Sequence, residues 1–316
     1  MRRSKPKIAI SACLLGEEVR YNGGHKRSTL CTEQLVEHVQ FVRVCPEVAI
    51  GLGTPREPIR LVGDVAAPRA VGTVSGDDVS AKLAQYGTQM SEALQGISGY
   101  IFMHKSPSCG LHRVKVYHHN GVPVPGGGRG LYAAAFCAAQ PDLPVEEEGR
   151  LHDPVLRENF LTRVFAYADW QHLLSQGLDC QALTHFHARY KYLLLATNPE
   201  QYRALGKLLG SLDKHNLNTL APRYFSALMV ALQKCATRGT HSNVLQHISG
   251  YLKQTLSSEE KQEMQQLIEQ YRRGYVPLVV PLTLLKHHFL LHPDRYIAQQ
   301  VYLQPHPETL SLRNAL

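Results

Sequence analysis

The chain has 316 residues, a net charge of +8 and 44% hydrophobic residues, long enough for two domains with cores of their own. No apolar run approaches the roughly 20 residues of a membrane span, and the segment after the basic start Met1-Arg2-Arg3-Ser4-Lys5-Pro6-Lys7 is too short and too polar for an export signal. Seven cysteines, few and odd in number, argue against a disulfide framework and for a reducing, cytoplasmic setting, while the positive charge favours a polyanionic partner.

Taken in chain order, the first half alternates. A β-rich run at 7–13 leads into the turn Arg20-Tyr21-Asn22-Gly23-Gly24, a helical pattern near 31–40 and a second apolar run at 41–45. A Gly/Pro loop covers 51–58. A helix near 77–96 precedes an apolar run at 99–104, and a strand is expected near 113–118. After the turn Asn120-Gly121, Pro123-Val124-Pro125-Gly126-Gly127-Gly128 opens a helix at 129–139. Strands alternating with helices predict an α/β domain over 1–149 with a mostly parallel sheet.

Residues 141–149 read as a linker or docking strand, after which the texture changes. Asp153 and Pro154 form an N-cap and first-turn pair. Helical periodicity then covers 154–175, 179–196, 199–213, 221–236, 240–255, 258–272 and 281–291, so 150–316 is expected to be an all-α domain. Residues 1–150 carry 17 basic and 14 acidic side chains and 151–316 carry 17 and 12, so the positive charge belongs to both halves.

Three cysteines fall where β-rich runs end in turn residues: Ser11-Ala12-Cys13-Leu14, Val44-Cys45-Pro46-Glu47 and Ser106-Pro107-Ser108-Cys109-Gly110. If those strands are parallel neighbours, their C-terminal ends share one crevice, where open α/β sheets hold ligands. Three thiolates there make a metal centre with one coordination position left open. The spacings, 32 and 64 residues, form no C-x-x-C knuckle, and three buried structural thiols are the alternative. Cys31, Cys137, Cys180 and Cys235 lie in helical patterns and read as incidental thiols.

Those three strings, with Val19-Arg20-Tyr21-Asn22-Gly23 and Gly51-Leu52-Gly53-Thr54-Pro55-Arg56, resemble the bacterial thiouracil desulfurases over most of 7–140. The resemblance implies a 4Fe-4S cluster on Cys13, Cys45 and Cys109. The family's turn carries Asp where this chain has Asn22, so no acid is expected there. An iron without a protein ligand is a thiophilic Lewis acid suited to a thiocarbonyl sulfur. Hydrolysis then replaces sulfur by oxygen with no electron transferred.

Such hydrolysis needs a base. Glu47, two residues past Cys45, is the candidate catalytic carboxylate, and Ser106 is the candidate proton donor or relay. Ser108 and Lys105 are weaker candidates for contact with substrate. Arg56 either binds substrate or braces its loop. Gly127 and Gly128, before the helix at 129–139, either hold a phosphate on backbone amides or form a tight turn.

In the second half, basic and aromatic residues interleave around Arg189 and Lys191, Arg238 lies in a polar, basic tract, and Lys286 is followed by two histidines. These four cations are the candidate RNA contacts, with a solvated helix face as the alternative. His241 and His247 are six apart and face different ways, which disfavours a metal pair. The strings Asp153-Pro154-Val155-Leu156-Arg157-Glu158-Asn159-Phe160 and Val276-Pro277-Leu278-Val279-Val280-Pro281 resemble a helical domain of the YbgA type found fused behind thiouracil-desulfurase-like domains. Fused chains of this kind look like tRNA 4-thiouridine desulfidases, which implies tRNA as partner. No obligate protein partner is evident. A small-molecule thiouracil or thionucleoside desulfurase and a non-catalytic nucleic-acid binder are the alternatives. A sulfur-inserting, ATP-using enzyme is disfavoured, because neither a P-loop nor a Ser-Gly-Gly-x-Asp-Ser loop occurs.

Overall fold

The computed structural model describes residues 5–118, 120–310 and 312–316. Met1 to Ser4, part of the stretch weighed as an export signal, lie outside the described residues. The chain divides into two compact units, one ending at His152 and the other starting at Asp153. No helix among the described residues is long and apolar enough to cross a membrane.

The first unit is α/β. Its strands are β1 (Lys7–Ser11), β2 (Gln40–Val44), β3 (Ile59–Gly63), β4 (Pro68–Gly72), β5 (Ile97–Phe102), β6 (Val116–Tyr117) and β7 (Val145–Glu147). Its α-helices are α1 (Pro46–Ala49), α2 (Ser80–Ala93) and α3 (Leu131–Ala139). The main sheet has the order β2-β1-β5-β7 and is parallel throughout. Parallel strands covered on both faces read as continuous apolar runs rather than alternating ones. Ile8–Ser11 and all of β5 are accordingly buried.

Helices α2 and α3 pack tightly at Gly87, where a Cβ would lie 2.7 Å from the Tyr132 carbonyl oxygen. Against them, Tyr100 and Phe102, two apart on β5 and so on one face, stack at 3.7 Å between ring centroids. Tyr132 and Phe136 of α3 complete this aromatic core.

Three local readings change. The pattern near 31–40 forms only a π-helical turn, Leu30–Leu35. The strand near 113–118 shrinks to Val116–Tyr117. The antiparallel pair β3–β4 was not foreseen and joins β6 in a second, three-stranded sheet. These are five-residue strands set behind the Gly/Pro loop at 51–58, too short and mixed to show a clean period.

The second unit is helical: α4 (Pro154–Ser175), α5 (Cys180–Thr197), α6 (Pro199–Leu209), α7 (Leu217–Gln233), α8 (Arg238–Ser249), α9 (Ser258–Arg273) and α10 (Val279–Leu291), followed by short 3-10 turns. Asp153 caps α4 by accepting from the amides of Val155 and Leu156. Ser257 and Glu260 form a reciprocal capping box on α9. Trp170 of α4 stacks on Phe225 of α7 at 4.8 Å, inside a core that also takes Phe186 and Tyr224.

Candidate active site

The register brings the three cysteine-bearing strand ends together. Ser11 lies beside Val44, and Ile10 beside Ile101, so β2, β1 and β5 end side by side. The chain leaves β1 toward β2 and later returns on the other side of β1 as β5. This is the strand-order reversal at which open α/β sheets form a crevice.

Cys13 sits in the 3-10 turn after β1, Cys45 caps the short α1 after β2, and Cys109 lies in the turn after β5. All three line one cavity of about 360 Å³, and all are free thiols. Burial, with Cys45 nearby, pushes the Cys13 thiol up to about 11. Burial also raises Cys45, and it raises Cys109 far above the ordinary thiol range.

Such thiols ionise only beside a strong positive charge, and a metal centre supplies one. Among the described residues no three His, Cys, Asp or Glu side chains converge on a single ion. A polynuclear cluster asks something different, that each cysteine reach its own iron. Three thiols set around one cavity fit that demand.

Glu47 lies in the first turn of α1, fixed there by Cys45-Pro46. Its Oε2 accepts from Arg56 Nη2 at 2.6 Å and Nε at 3.0 Å. The two side chains are only 14% and 6% exposed. Arg56 also donates to the carbonyls of Val19 and Gly53. Its five N–H donors are thereby all spoken for, so Arg56 braces Glu47 and two loops and has no donor left for substrate.

The other carboxylate oxygen, Oε1, accepts from Ser108 Oγ at 2.5 Å. Ser108 also lies 3.7 Å from Cys109 Sγ, but its single proton goes to the much closer carboxylate. Ser106 Oγ stands 2.9 Å from Ser108 Oγ and accepts from the amides of Ser108 and Cys109. Glu47, Ser106, Ser108 and Lys105 all line the cysteine cavity.

Gly127 and Gly128 do not. They line a neighbouring groove, and the Gly128 amide is spent on the Val114 carbonyl at 2.7 Å. That corrects the phosphate-cradle reading of Gly128. The run is glycine-rich because backbone passes close by: a Cβ on Gly127 would lie 2.8 Å from Arg113 Cα, and one on Gly130 would lie 2.5 Å from Ser108 carbonyl atoms.

Lys26 and Ser11 also line the cavity and were not singled out from sequence. Lys26 arrives because the 20–28 segment doubles back, its amide bonding to the Cys13 carbonyl. Ser11 Oγ accepts from the Met103 amide at 3.0 Å and ties β1 to the start of the Cys109 loop. Cys31 is fully buried, and burial pushes its thiol up to about 12.

In the helical unit the four candidate cations have different surroundings. Arg189 pairs with Asp169 at 3.0 Å, Lys286 pairs with Glu308, and Arg238 donates to the Tyr271 carbonyl. Lys191 instead lies over the Tyr192 and Tyr296 rings at 5.0 and 5.8 Å. Tyr251 stacks on Tyr296 and is exposed.

Comparison with known proteins bears on both units. A family model described as 2-thiouracil desulfurase matches residues 8–148, and one described as a protein of unknown function, DUF1722, matches 191–307. The chain is 35% identical over 159 residues to the uncharacterized protein YbgA of Escherichia coli (strain K12), covering 50% of this chain and 94% of that one. It is 33% identical over 158 residues to the uncharacterized protein YbbK of Bacillus subtilis (strain 168), covering 46% and 98%. A solved structure titled as a 4Fe-4S-dependent thiouracil desulfidase, TudS, is 33% identical, has a TM-score of 0.36, and covers 47% of this chain and 95% of its own. The chain belongs to the 2-thiouracil desulfurase family and joins to that domain a second one of the DUF1722, YbgA-like family.

Proposed function

We propose that this chain hydrolyses the carbon–sulfur double bond of 4-thiouridine in tRNA, with a 4Fe-4S cluster held by Cys13, Cys45 and Cys109. The observation that carries the reading is the meeting of three distant cysteines and Glu47 around one cavity. The chemistry that the cluster supplies is a thiophilic Lewis acid for the departing sulfur. The chain's own residues handle the protons. Glu47 takes one proton from the water that attacks the thiocarbonyl carbon. Ser108 orients that carboxylate, Ser106 orients Ser108, and Arg56 fixes Glu47 from the opposite side. Oxygen replaces sulfur on the base, both protons of water end on sulfide, and hydrogen sulfide leaves.

The helical unit would dock the tRNA. Lys191, over the half-buried Tyr296 ring on which exposed Tyr251 stacks, offers a cation beside an aromatic surface, the pairing that suits unstacked bases and phosphates. Free thiols lining one cavity suit the cytoplasm. The test is loss of thiouridine absorbance from bulk tRNA incubated without oxygen with the reconstituted protein, alongside free thiouracil. A second reading, a small-molecule thiouracil desulfurase, is favoured by one fact: the desulfurase family match, 8–148, lies wholly within the α/β unit. Turnover of thiouracil with tRNA left intact would establish it.

A further inference from the structure

The cysteine cavity has a basic neighbour. A groove of about 710 Å³ in the same unit is lined by Lys105, Arg113 and Arg129 among others, and it shares His104 and Lys105 with the cysteine cavity. Lys105 therefore stands on the ridge between the two. Lys105 and Arg113 are also the two non-glycine residues with positive φ among those described, at 58° and 51°. Left-handed backbone at such residues is disfavoured and concentrates at ligand sites.

The groove's lining holds one carboxylate, and it is already engaged: buried Glu147 accepts from the Leu111 and His112 amides at 2.7 and 3.0 Å. Arg150, also in the lining, is held at 2.8 Å by Glu146, which is not. Lys105, Arg113 and Arg129 have no carboxylate partner among the described residues. The cysteine cavity has the same bias, because Arg20 and Lys26 line it while its one carboxylate, Glu47, is bound to Arg56.

We infer that this groove seats the phosphate of the nucleotide whose thiobase enters the cysteine cavity, so that the desulfurase unit itself reads the substrate as a nucleotide. Lys105, Arg113 and Arg129 together meet that phosphate and, in an RNA, the one that follows it along the backbone. The inference rests on the nucleic-acid reading above but is tested by binding, not turnover. Phosphate is the shared chemistry of two sources, a free mononucleotide and an RNA backbone.

The experiment uses the full chain and measures binding of a short single-stranded uridine RNA, and separately of uridine 5′-monophosphate, across a range of salt. Arg113→Asn with Arg129→Gln removes two charges; asparagine tolerates the left-handed backbone, and glutamine keeps a donor for the Leu111 carbonyl that Arg129 meets at 3.4 Å. The salt slope of RNA binding should fall by about 1.4, the value for two lost contacts to a single strand. Arg113→Lys with Arg129→Lys should keep the parent slope, which separates lost charge from misfolding. Weakened binding of both ligands names a single nucleotide phosphate as the occupant; weakening of RNA alone names the backbone. Parent slope and affinity for both ligands in the charge-removing variant would overturn the inference, even where tRNA is desulfurated. A fallen slope in a protein that leaves thiouridine in tRNA would uphold the groove and sink the functional reading.

Discussion

Ser108 Oγ donates to Glu47 Oε1 at 2.5 Å across 61 positions of sequence, joining the loop after β5 to the first turn of α1. A hydroxyl has one proton to give. With that proton on Glu47, the 2.9 Å contact between the two serines runs from Ser106 to Ser108. The result is a directional chain, Ser106 to Ser108 to Glu47, that ends on a carboxylate inside the cysteine cavity. Ser108→Ala should lower kcat about tenfold while leaving iron content intact, because it loosens a positioning contact and removes no ligand. Anaerobic iron assay and steady-state turnover on the same preparation check both halves of that statement.

Glu47 and Cys45 are two residues apart and separate cleanly by chemistry. Glu47→Gln should keep the brown colour and iron of the parent and lose about 10²- to 10⁴-fold in turnover, the usual worth of a general base. Cys45→Ala should lose colour and turnover together. Equal loss of iron in the two variants would make Glu47 a structural residue.

How much of this was legible beforehand depends on the range of the interaction. Cys45-Pro46 and Cys109-Gly110 mark strand ends locally, because proline stops a strand and glycine admits a tight approach: a Cβ on Gly110 would lie 2.4 Å from Val114 Cγ2. A mostly parallel sheet was legible in the alternation of strands and helices, whereas the neighbourhood of β2, β1 and β5 was only a condition, since β2 carries Arg43 and is buried only at Val44. The Glu47–Ser108 bond, the saturation of Arg56 and the arrival of Lys26 depend on distant loops meeting, and no local pattern carries them. The glycines at 126–130 stayed ambiguous for a related reason. An anion cradle and a close backbone crossing both call for glycine, and only the fold shows the second.

Arg56 gives the sharpest stability prediction. Its ion pair with Glu47 is nearly buried, and removing one partner of such a pair leaves an uncompensated charge, at a cost of about 3–5 kcal/mol. Arg56→Met should therefore destabilise the α/β unit by that order, and Arg56→Lys should recover only part, since an ammonium cannot serve three acceptors in the guanidinium's planar fork. The unfolding midpoint of the α/β unit in denaturant, followed by far-UV circular dichroism, checks this. Arg56→Lys matching the parent would show that the fork geometry is unimportant.

Acid should weaken the helical unit before it reaches any carboxylate. Burial lowers His241 from 6.5 to about 4, and it lowers His187 to about 4 as well. Their folded forms therefore stay neutral while the unfolded chain takes up protons from pH 6.5 downward. The stabilisation is full above 6.5 and is lost progressively toward 4, on the order of 3 kcal/mol for His241. Glu158 responds lower still. Burial alone would raise it, but the His306 imidazole 3.5 Å away and the Arg313 charge bring it to about 2. Its contribution is full above its ordinary 4.5 and disappears as pH falls toward 2. The chain's single tryptophan, Trp170, is buried in this unit, so its fluorescence reports on these helices alone. His241→Gln should roughly halve the loss between about pH 6.5 and 4, leaving the part due to His187, and an unchanged slope in that variant would show that this imidazole is not a titrating group.

Removing the helical unit tests the division of labour between recognition and chemistry. The cysteines, Glu47 and the serine chain all lie before His152, and the desulfurase family match ends at 148. A chain stopped at 152 should thus keep its iron and turn over free thiouracil at close to the parent rate. Desulfuration of tRNA should fall by an order of magnitude or more, because the helical unit holds much of the positive charge and the exposed Tyr251 stacked on the Tyr296 ring beside Lys191. The two substrates are measured on one preparation, which cancels differences in cluster loading. A proportional fall on both would mean that the helices stabilise the desulfurase unit without selecting its substrate. A selective fall on tRNA, larger at low salt than at high, would place the lost contacts on phosphate, because the parent's extra affinity from released counterions is greatest at low ionic strength and fades steeply as salt rises.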